Sequence, residues 1–424
     1  MTARVRTRLA VLAAGCTLLL VGALLLVGAA SAPAGPAGSG VSATALRVDT
    51  QPNPIGLGDA TPALGWRLSG GRQSAYQIRV ASTVAQLDQP DLWDSGKVTS
   101  SDSNNIPYAG AALKSRQAVA WDVRVWDASG AAGDWSAAAT WEMGLLSNSD
   151  WSAKWIENPD YTYATADVPN PLPIFAKPFD LSGTVAKARL YMTGLGQYAA
   201  KLNGKPVGDA VLEPGQTSYF AEVDYRTYDV TGLLKQGANL LGVETGSGAY
   251  QRVRTGGRYF FQNNPAPVYG APKTIAQLEI TYADGSKQTI ATDTSWKTQL
   301  GPTTFSSWWS GEDYDARRQA TDWTASPALN GTWRDAGLAT LTPTTTPTDT
   351  TPLIADQRPP VTVAREAHPV AINPVTRAPL STTLVAPASA GDTTVKLVSV
   401  SSLNPGDSLS VPEAVQSVGC RRAS

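Results

Sequence analysis

The amino-acid sequence predicts an all-β protein built of tandem β-sandwiches. Glycine and proline are abundant, with 38 and 30 residues among 424, and both residue types favour turns over long helices. Short segments alternate between apolar and polar side chains, which is the period of a half-buried strand, and no helical period recurs. The length is sufficient for about three domains.

The composition excludes several classes of partner and cofactor. The formal net charge is −1, so the chain has no field that would attract nucleic acid or an acidic lipid surface. Of the two cysteines, Cys16 lies in a segment that we expect to be removed, which leaves Cys420 without a partner for a disulfide. The single histidine, His368, has no cluster of metal-ligating residues around it in the sequence, so we predict a surface position for it.

The first 34 residues predict a secretory signal peptide. Arg4, Arg6 and Arg8 precede an uncharged apolar run over residues 9–30, and small residues follow it. We therefore predict that the chain is secreted after cleavage. The alternative is an uncleaved membrane anchor, because about 20 apolar residues are enough to cross a bilayer.

Residues 43–150 predict a first β-sandwich of immunoglobulin-like size. One predicted strand alternates at Tyr76, Ile78 and Val80, and a second alternates more strongly. The apolar positions of that second strand are Val119, Trp121, Val123 and Val125. Since Trp121 shares the apolar face, we interpret it as a core residue and not as a sugar platform.

Residues 151–341 predict a second β-sandwich. Tyr198, Ala200 and Leu202 alternate with Ala199 and Lys201, and Asn203-Gly204 follows directly. That dipeptide is a strong signal for a two-residue hairpin turn, because it tolerates positive φ at both positions. A second hairpin is predicted between residues 280 and 290, where Asp284-Gly285 provides the turn.

The sequence of the C-terminal part predicts a linker followed by an incomplete domain. Residues 342–352 contain mostly threonine and proline, which predicts an extended linker. Residues 353–424 predict the start of another β-domain, with two strands at 391–397 and 405–411. The alternation then stops, so we expect a segment that is truncated or frameshifted before its core closes.

Two stretches of the second predicted sandwich resemble one enzyme family. They read LNGKPVGDAVLEPGQTSY from Leu202 and YRTYDVTGLLKQGANLLGV from Tyr225, and they resemble the N-terminal β-module of bacterial α-L-rhamnosidases of glycoside hydrolase family 78. Segments such as AYQIRVAS and AWDVRVWDASG resemble the fibronectin III-like domain that opens many of these enzymes. The resemblance covers about Leu46 to Val370. It implies a fibronectin III-like sandwich followed by a jelly-roll, carbohydrate-binding-like module.

The resemblance also implies candidate carbohydrate-binding residues. Some family copies of this module bind L-rhamnose with a calcium ion, so the resemblance makes calcium the candidate cofactor of the second sandwich. The candidate sugar-binding residues on its predicted loops are Asp209, Glu213, Tyr219 and Tyr250. The sequence departs from the family pattern at Gln216 and Ala249, where many members carry tryptophan. Those two differences weaken the prediction of sugar stacking.

No catalytic residue is predicted in this chain. Glu312, Asp313 and Asp315 form a tempting acidic cluster, but glycoside hydrolysis needs two carboxylates that face each other across the scissile bond. We instead expect Asp315 to form an ion pair with Arg317 on one face of a strand. The family resemblance places catalysis in an (α/α)₆ barrel, which this sequence does not contain.

Two functional hypotheses follow. The first is the non-catalytic N-terminal portion of an exported α-L-rhamnosidase, which would act as a scaffold and dock glycans. The second is a free-standing secreted protein that binds rhamnose-containing glycans. Both predict a glycan partner, no nucleic-acid partner and no role at a membrane beyond export.

Overall fold

The computed structural model describes residues 40–162, 171–251, 269–307, 311–320, 322–341, 350–368, 408–411 and 414–419. The chain divides into two compact units, Met1–Val363 and Ala364–Ser424. The predicted signal peptide, most of the Thr/Pro linker and most of the C-terminal segment lie outside the described residues. Within the described residues, no helix is both long and apolar enough to cross a membrane.

The first sandwich contains eight strands in the described part of the chain. These are β1 (Ser42–Val48), β2 (Ile55–Leu57), β3 (Ala63–Ser69), β4 (Gln73–Ala81), β5 (Trp93–Asp94), β6 (Ile106–Pro107), β7 (Ala118–Asp127) and β8 (Ala139–Met143). One sheet has the order β1-β3-β6, and the other has the order β2-β8-β7-β4-β5. All pairs are antiparallel except β2 with β8.

The predicted alternation of β4 and β7 is confirmed. Ile78 and Val80 are fully buried in β4, and Trp121 is fully buried in β7 among the other apolar residues of the core. The opposite faces carry Arg79 and Asp122, which pair across the two strands. Trp121 is therefore a core residue, as the sequence predicts.

The second sandwich follows after a short 3₁₀ turn at Asn148–Asp150. Its strands are β9 (Ile156–Glu157), β10 (Pro173–Leu181), β11 (Val185–Leu195), β12 (Gln197–Leu202), β13 (Lys205–Pro206), β14 (Val223–Asp229), β15 (Gly237–Gly246), β16 (Lys273–Tyr282), β17 (Lys287–Ala291), β18 (Lys297–Leu300), β19 (Thr303–Ser307), β20 (Gly311–Tyr314), β21 (Arg334–Asp335), β22 (Gly337–Leu338) and β23 (Leu353–Ala355). Further 3₁₀ turns cover Val84–Gln86, Thr231–Leu233 and Ala316–Arg318.

Two main sheets form this sandwich. One has the order β13-β12-β15-β10-β18-β21, and the other has the order β22-β9-β16-β11-β14-β23, with β17 paired to β16. The strands β19 and β20 form a separate hairpin. The core lies between the two sheets, where Phe175 and Val243 of the first meet Leu190 and Leu278 of the second. The all-β fold and the tandem sandwiches are thus confirmed.

The two predicted hairpins of the second sandwich are present. Asn203 and Gly204 join β12 to β13, and both have positive φ, 53° and 81°. Gly285 has φ of 84° in the turn between β16 and β17. Tyr198, Ala200 and Leu202 of β12 all face the core.

The structure differs from the predicted domain boundary at residue 353. Leu353–Ala355 forms β23, which pairs in parallel with β14 and so extends a sheet of the second sandwich. The apolar side chain of Ala355 is buried there against Tyr191 and Tyr225. A three-residue strand carries too little alternation for the sequence to assign it to a sheet.

The second compact unit, Ala364–Ser424, contains an antiparallel hairpin. Its strands are β24 (Ser408–Val411) and β25 (Ala414–Gly419), with Ser408 opposite Gly419. His368 is exposed in the described part of this unit, as predicted.

Candidate functional site

The predicted carbohydrate-binding residues do not form an exposed platform. Asp209 is exposed in the loop after β13, whereas Glu213 is buried and forms an ion pair with Arg226 of β14, 2.9 Å from Nε to Oε1. Burial raises the pKa of Glu213, and the Arg226 guanidinium opposes that rise. The carboxylate of Glu213 thus already has a partner within the fold.

Tyr219 and Tyr250 lie in a small aromatic core. Tyr250 is fully buried, Tyr219 is 4% exposed, and their rings meet edge to face with centroids 5.2 Å apart. Tyr269 stacks on Tyr250 at 5.6 Å, and Leu195 completes the contact. Because a sugar can stack only on an exposed ring face, these two tyrosines act in packing in this structure.

Glu213 belongs to a network of three carboxylates and two arginines. Arg226 Nη2 lies 2.7 Å from Asp356 Oδ2, and Arg358 Nε lies 2.9 Å from Asp356 Oδ1. Arg358 also pairs with Asp224. Burial raises the pKa of Asp224 to about 6, although the nearby Arg358 acts in the opposite direction. This network fastens residues 356–358 to the second sandwich.

The residues in this region do not fit a calcium site. Calcium takes six to eight oxygen ligands, including several carboxylates. Here Arg226 and Arg358 already neutralise the carboxylates of Glu213, Asp224 and Asp356. Nowhere in the described ranges do three or more His, Cys, Asp or Glu side chains group in a way that could hold a metal ion.

One carboxylate of the acidic segment after residue 311 takes part in an ion pair within the fold. Asp315 and Arg317 form the predicted ion pair, with Oδ1 and Nε 2.8 Å apart. The prediction that both residues lie on a strand is wrong, because β20 ends at Tyr314 and Asp315 caps the following 3₁₀ turn. The Arg317 guanidinium and backbone N–H both donate to Asp315, and they hold the pKa of its carboxyl down at about 2.

The most elaborate polar arrangement lies instead between the two sandwiches. Tyr225 of β14 points its hydroxyl at the first domain, where it accepts from the Leu145 N–H at 2.6 Å and donates to the Leu145 carbonyl at 2.9 Å. Both Tyr225 and Leu145 are 1% exposed. The Trp151 ring packs edge to face on Tyr225 at 5.2 Å and on Tyr191 at 6.4 Å.

Two arginines add charged contacts across the same interface. Arg116 of the first domain lies with Nε 2.7 Å from Glu279 of β16, and its Nη1 lies 2.7 Å from Asp150. These two carboxylates raise the pKa of Arg116, and the largest cause is the hydrogen bond that Arg116 donates to Glu279. Arg189 of β11 donates to both oxygens of Glu142 in β8, at 3.1 and 2.9 Å.

The segment around β23 lies in the same junction. The Asn148 side chain donates to the Thr351 carbonyl at 3.0 Å and accepts from the Leu353 N–H at 2.9 Å. Gln51 of the first domain donates to the Gln357 carbonyl at 2.9 Å. We call residues 350–358 the strap, because they are bound both to the first domain and to β14 of the second.

A polar cavity of about 270 Å³ opens beside these contacts. Its floor is the outer face of β11, β16 and β17, and Arg116 and Glu142 of the first domain form its wall. The sequence alone did not single out any of these interface residues. The available signal was a charged side chain that alternates with apolar side chains along a strand, such as Arg189 beside Leu190.

Comparisons with known proteins identify both sandwiches. Residues 43–147 match the family described as "Rha78A-like, N-terminal immunoglobulin domain", and residues 183–365 match the family described as "Alpha-L-rhamnosidase N-terminal domain". An α-L-rhamnosidase of Formosa agariphila is 40% identical over 292 residues, which cover 66% of this chain and 31% of that protein. One of Streptomyces avermitilis is 29% identical over 464 residues, with 70% and 44% covered.

Solved structures agree with these sequence matches. The α-L-rhamnosidase from Dictyoglumus thermophilum superposes with a TM-score of 0.68 at 32% identity, and it covers 78% of this chain and 37% of its own. The Streptomyces avermitilis enzyme, solved in complex with L-rhamnose, gives 0.67 at 27% identity, with 77% and 47% covered. The chain therefore spans less than half the length of each of these relatives.

The fold and the interface define an N-terminal double-sandwich region of the kind found in glycoside hydrolases. More specifically, the chain carries the two N-terminal domains of the α-L-rhamnosidase family, the immunoglobulin-like domain and the N-terminal β-domain, in that order. The resemblance predicted from the sequence is thus confirmed.

Proposed function

We propose that this chain is the rigid, non-catalytic N-terminal platform of an exported α-L-rhamnosidase. The observation that carries the proposal is the interface, where Tyr225, Arg116 and Arg189 bind the two sandwiches together through buried or half-buried polar contacts. A flexible pair of domains would not need such contacts. Interfaces between independently moving domains resemble transient complexes, without a closed set of buried partners.

The energetic cost of separating the domains supports this role. Arg189 and Glu142 have side chains only 12% and 7% exposed, so replacing either one would leave the other charge buried without this partner while the domains stay docked. Breaking a buried pair by removing one partner costs about 3–5 kcal/mol. The strap adds to this cost, since it is hydrogen-bonded to both domains.

The longer relatives are named α-L-rhamnosidases. In the intact protein, the function would be hydrolysis of terminal α-L-rhamnosyl linkages outside the cell. The part described here would hold the neighbouring domains in place and present a surface to the glycan. The similarity to these relatives supports the proposed activity of the intact protein. The ion pair of Asp315 with Arg317 supports a non-catalytic role for the part described here.

Calorimetry on the full chain tests the platform. We expect both sandwiches to unfold in one transition whose calorimetric and van't Hoff enthalpies agree. Arg116→Ala combined with Tyr225→Phe should split that transition, whereas Arg317→Ala, at an exposed pair, should not. Two independent transitions in the unaltered chain would refute a rigid platform.

A hydrolysis assay tests the non-catalytic role. The purified chain should release no product from an aryl α-L-rhamnoside, and Glu312→Gln should change nothing. Turnover that persists through purification and disappears in Glu312→Gln would overturn the proposal. A glycan array covers the remaining case: strong specific binding by a chain whose sandwiches unfold separately would favour a free-standing binding protein.

A further inference from the structure

The cavity between the sandwiches is built in rows across three strands. The register places Lys187 opposite Thr281, and Thr281 opposite Lys287, so these side chains form one row on the same sheet face. The next row contains Glu279 and Thr289 in the same way. Neighbouring strands lie about 4.8 Å apart, so the backbones at the two lysines are about 10 Å apart, with Thr281 between them.

The acidic groups around this cavity are already engaged. Glu279 accepts from Arg116 through both oxygens and also from Gln277. Glu142 accepts from Arg189 and lies 2.9 Å from Lys187 Nζ. Their capacity to accept further hydrogen bonds from a ligand is therefore largely used.

Several donors that line the cavity are not engaged. Among the residues that the structure describes, no hydrogen bond or ion pair reaches the side chains of Tyr191, Thr281, Lys287 or Thr289. Lys287 and Thr289 are exposed, while Tyr191 is 1% exposed and reaches the cavity from the core. Burial raises the pKa of Tyr191, so its hydroxyl keeps its proton and remains a donor.

We propose that this cavity binds a sugar residue that carries a carboxylate, a hexuronate. The carboxylate would lie beside Thr281 and pair with Lys287, since Lys187 is already paired with Glu142, and ring or hydroxyl oxygens would accept from Thr289 and Tyr191. The free groups are donors, so the ligand must be rich in acceptors. That the ligand is a sugar rests on the proposed role in a glycan-degrading enzyme; the anionic group rests on Lys287, the lysine of the row that has no partner among the described residues.

The volume of the cavity is suitable for one sugar residue. Its volume of about 270 Å³ lies just below the range of about 300–1,000 Å³ that is typical of pockets for larger ligands. A pocket at a domain interface is also a common place for ligands. A bound hexuronate would touch strands of the second sandwich beside Arg116 of the first, and it would therefore stabilise the junction.

Binding can be measured on the full chain by calorimetric titration and by saturation-transfer NMR. The ligands are D-galacturonate and D-glucuronate, with D-galactose, D-glucose and sodium acetate as matched controls. We expect a millimolar dissociation constant for at least one hexuronate, and binding at least tenfold weaker for the neutral sugars and acetate. Acetate that binds as tightly as the hexuronate would overturn the proposal, and so would equally tight binding of the neutral sugar.

Variants locate the site. Lys287→Ala and Thr281→Val should each weaken hexuronate binding at least fivefold, and Lys205→Ala, at an exposed lysine of the other sheet, should leave it unchanged. No hexuronate binding up to 20 mM, or unchanged binding in Lys287→Ala, would refute the inference. Because the calorimetric transition of the unaltered chain is measured separately, failure here leaves the rigid platform intact.

Discussion

The hydroxyl of Tyr225 offers the sharpest test of the interface. It accepts from the Leu145 N–H and donates to the Leu145 carbonyl, at 2.6 and 2.9 Å, in a region closed to water. Tyr225→Phe removes this hydroxyl alone, because the ring keeps its contacts with Trp151 and Tyr191. Both backbone groups of Leu145 would then be buried without a hydrogen-bond partner.

The expected loss of stability follows from the two backbone groups of Leu145 that are left without partners. A buried donor or acceptor left without a partner costs about 1–3 kcal/mol. With two such groups, and with some relaxation around the space of one oxygen atom, we expect Tyr225→Phe to lower the free energy of unfolding by about 2–4 kcal/mol. A change of this size is a large fraction of the stability of a typical domain.

Tyr191→Phe is the matched control. Tyr191 belongs to the same aromatic cluster, but its hydroxyl has no hydrogen bond among the described residues. Both variants would be unfolded in urea and followed by tryptophan fluorescence, with stabilities compared at equal m-value. We expect a change within about 0.5 kcal/mol for Tyr191→Phe. Equal losses for the two variants, or a loss below about 0.5 kcal/mol for Tyr225→Phe, would refute the reasoning.

Three further predictions concern the same region. A Cβ at residue 144 would lie 2.4 Å from the Tyr225 hydroxyl, so Gly144→Ala should lower the melting temperature by at least as much as Tyr225→Phe. The folded pKa of Asp224 is about 6, above its ordinary value of 3.8, so this group contributes stability that is lost as the pH rises from about 4 to 6; Asp224→Asn should flatten this part of the stability profile. EDTA should leave the melting temperature unchanged, because Arg226 and Arg358 already neutralise the carboxylates where calcium was expected; a fall on chelation would contradict that assignment.

The sequence predicts the interior of each sandwich well because the physics is local. In β4 and β7 every second side chain must avoid water, and in β12 the Asn203-Gly204 turn sets the register of the return strand. Each of these signals lies within about ten residues. The same strands therefore identify the fold class, the core position of Trp121 and the family resemblance.

The sequence predicts the site poorly because the deciding contacts are long-range. Tyr219 and Tyr250 stand beside glycine- and serine-containing turns, which usually means exposure, yet Tyr269 and Leu195 cover their rings. Glu213 meets Arg226 from a different segment, so its ion pair has no local pattern. A loop residue and a core residue can thus share the same neighbours in the sequence.

The junction shows what the long-range contacts achieve. Arg116, Tyr225 and the strap come from three segments that are more than 100 residues apart in the sequence. Arg116 of the first domain contacts the second, whereas Tyr225 of the second domain and the strap contact the first. Each contact needs the two domains to be docked, so we expect the three contacts to support one another. Loss of any one contact should therefore weaken the other two, so the effects of Arg116→Ala and Tyr225→Phe on stability should not be additive. Strict additivity in a double-mutant cycle would mean that the domains touch through independent contacts and that the platform is not a single cooperative body.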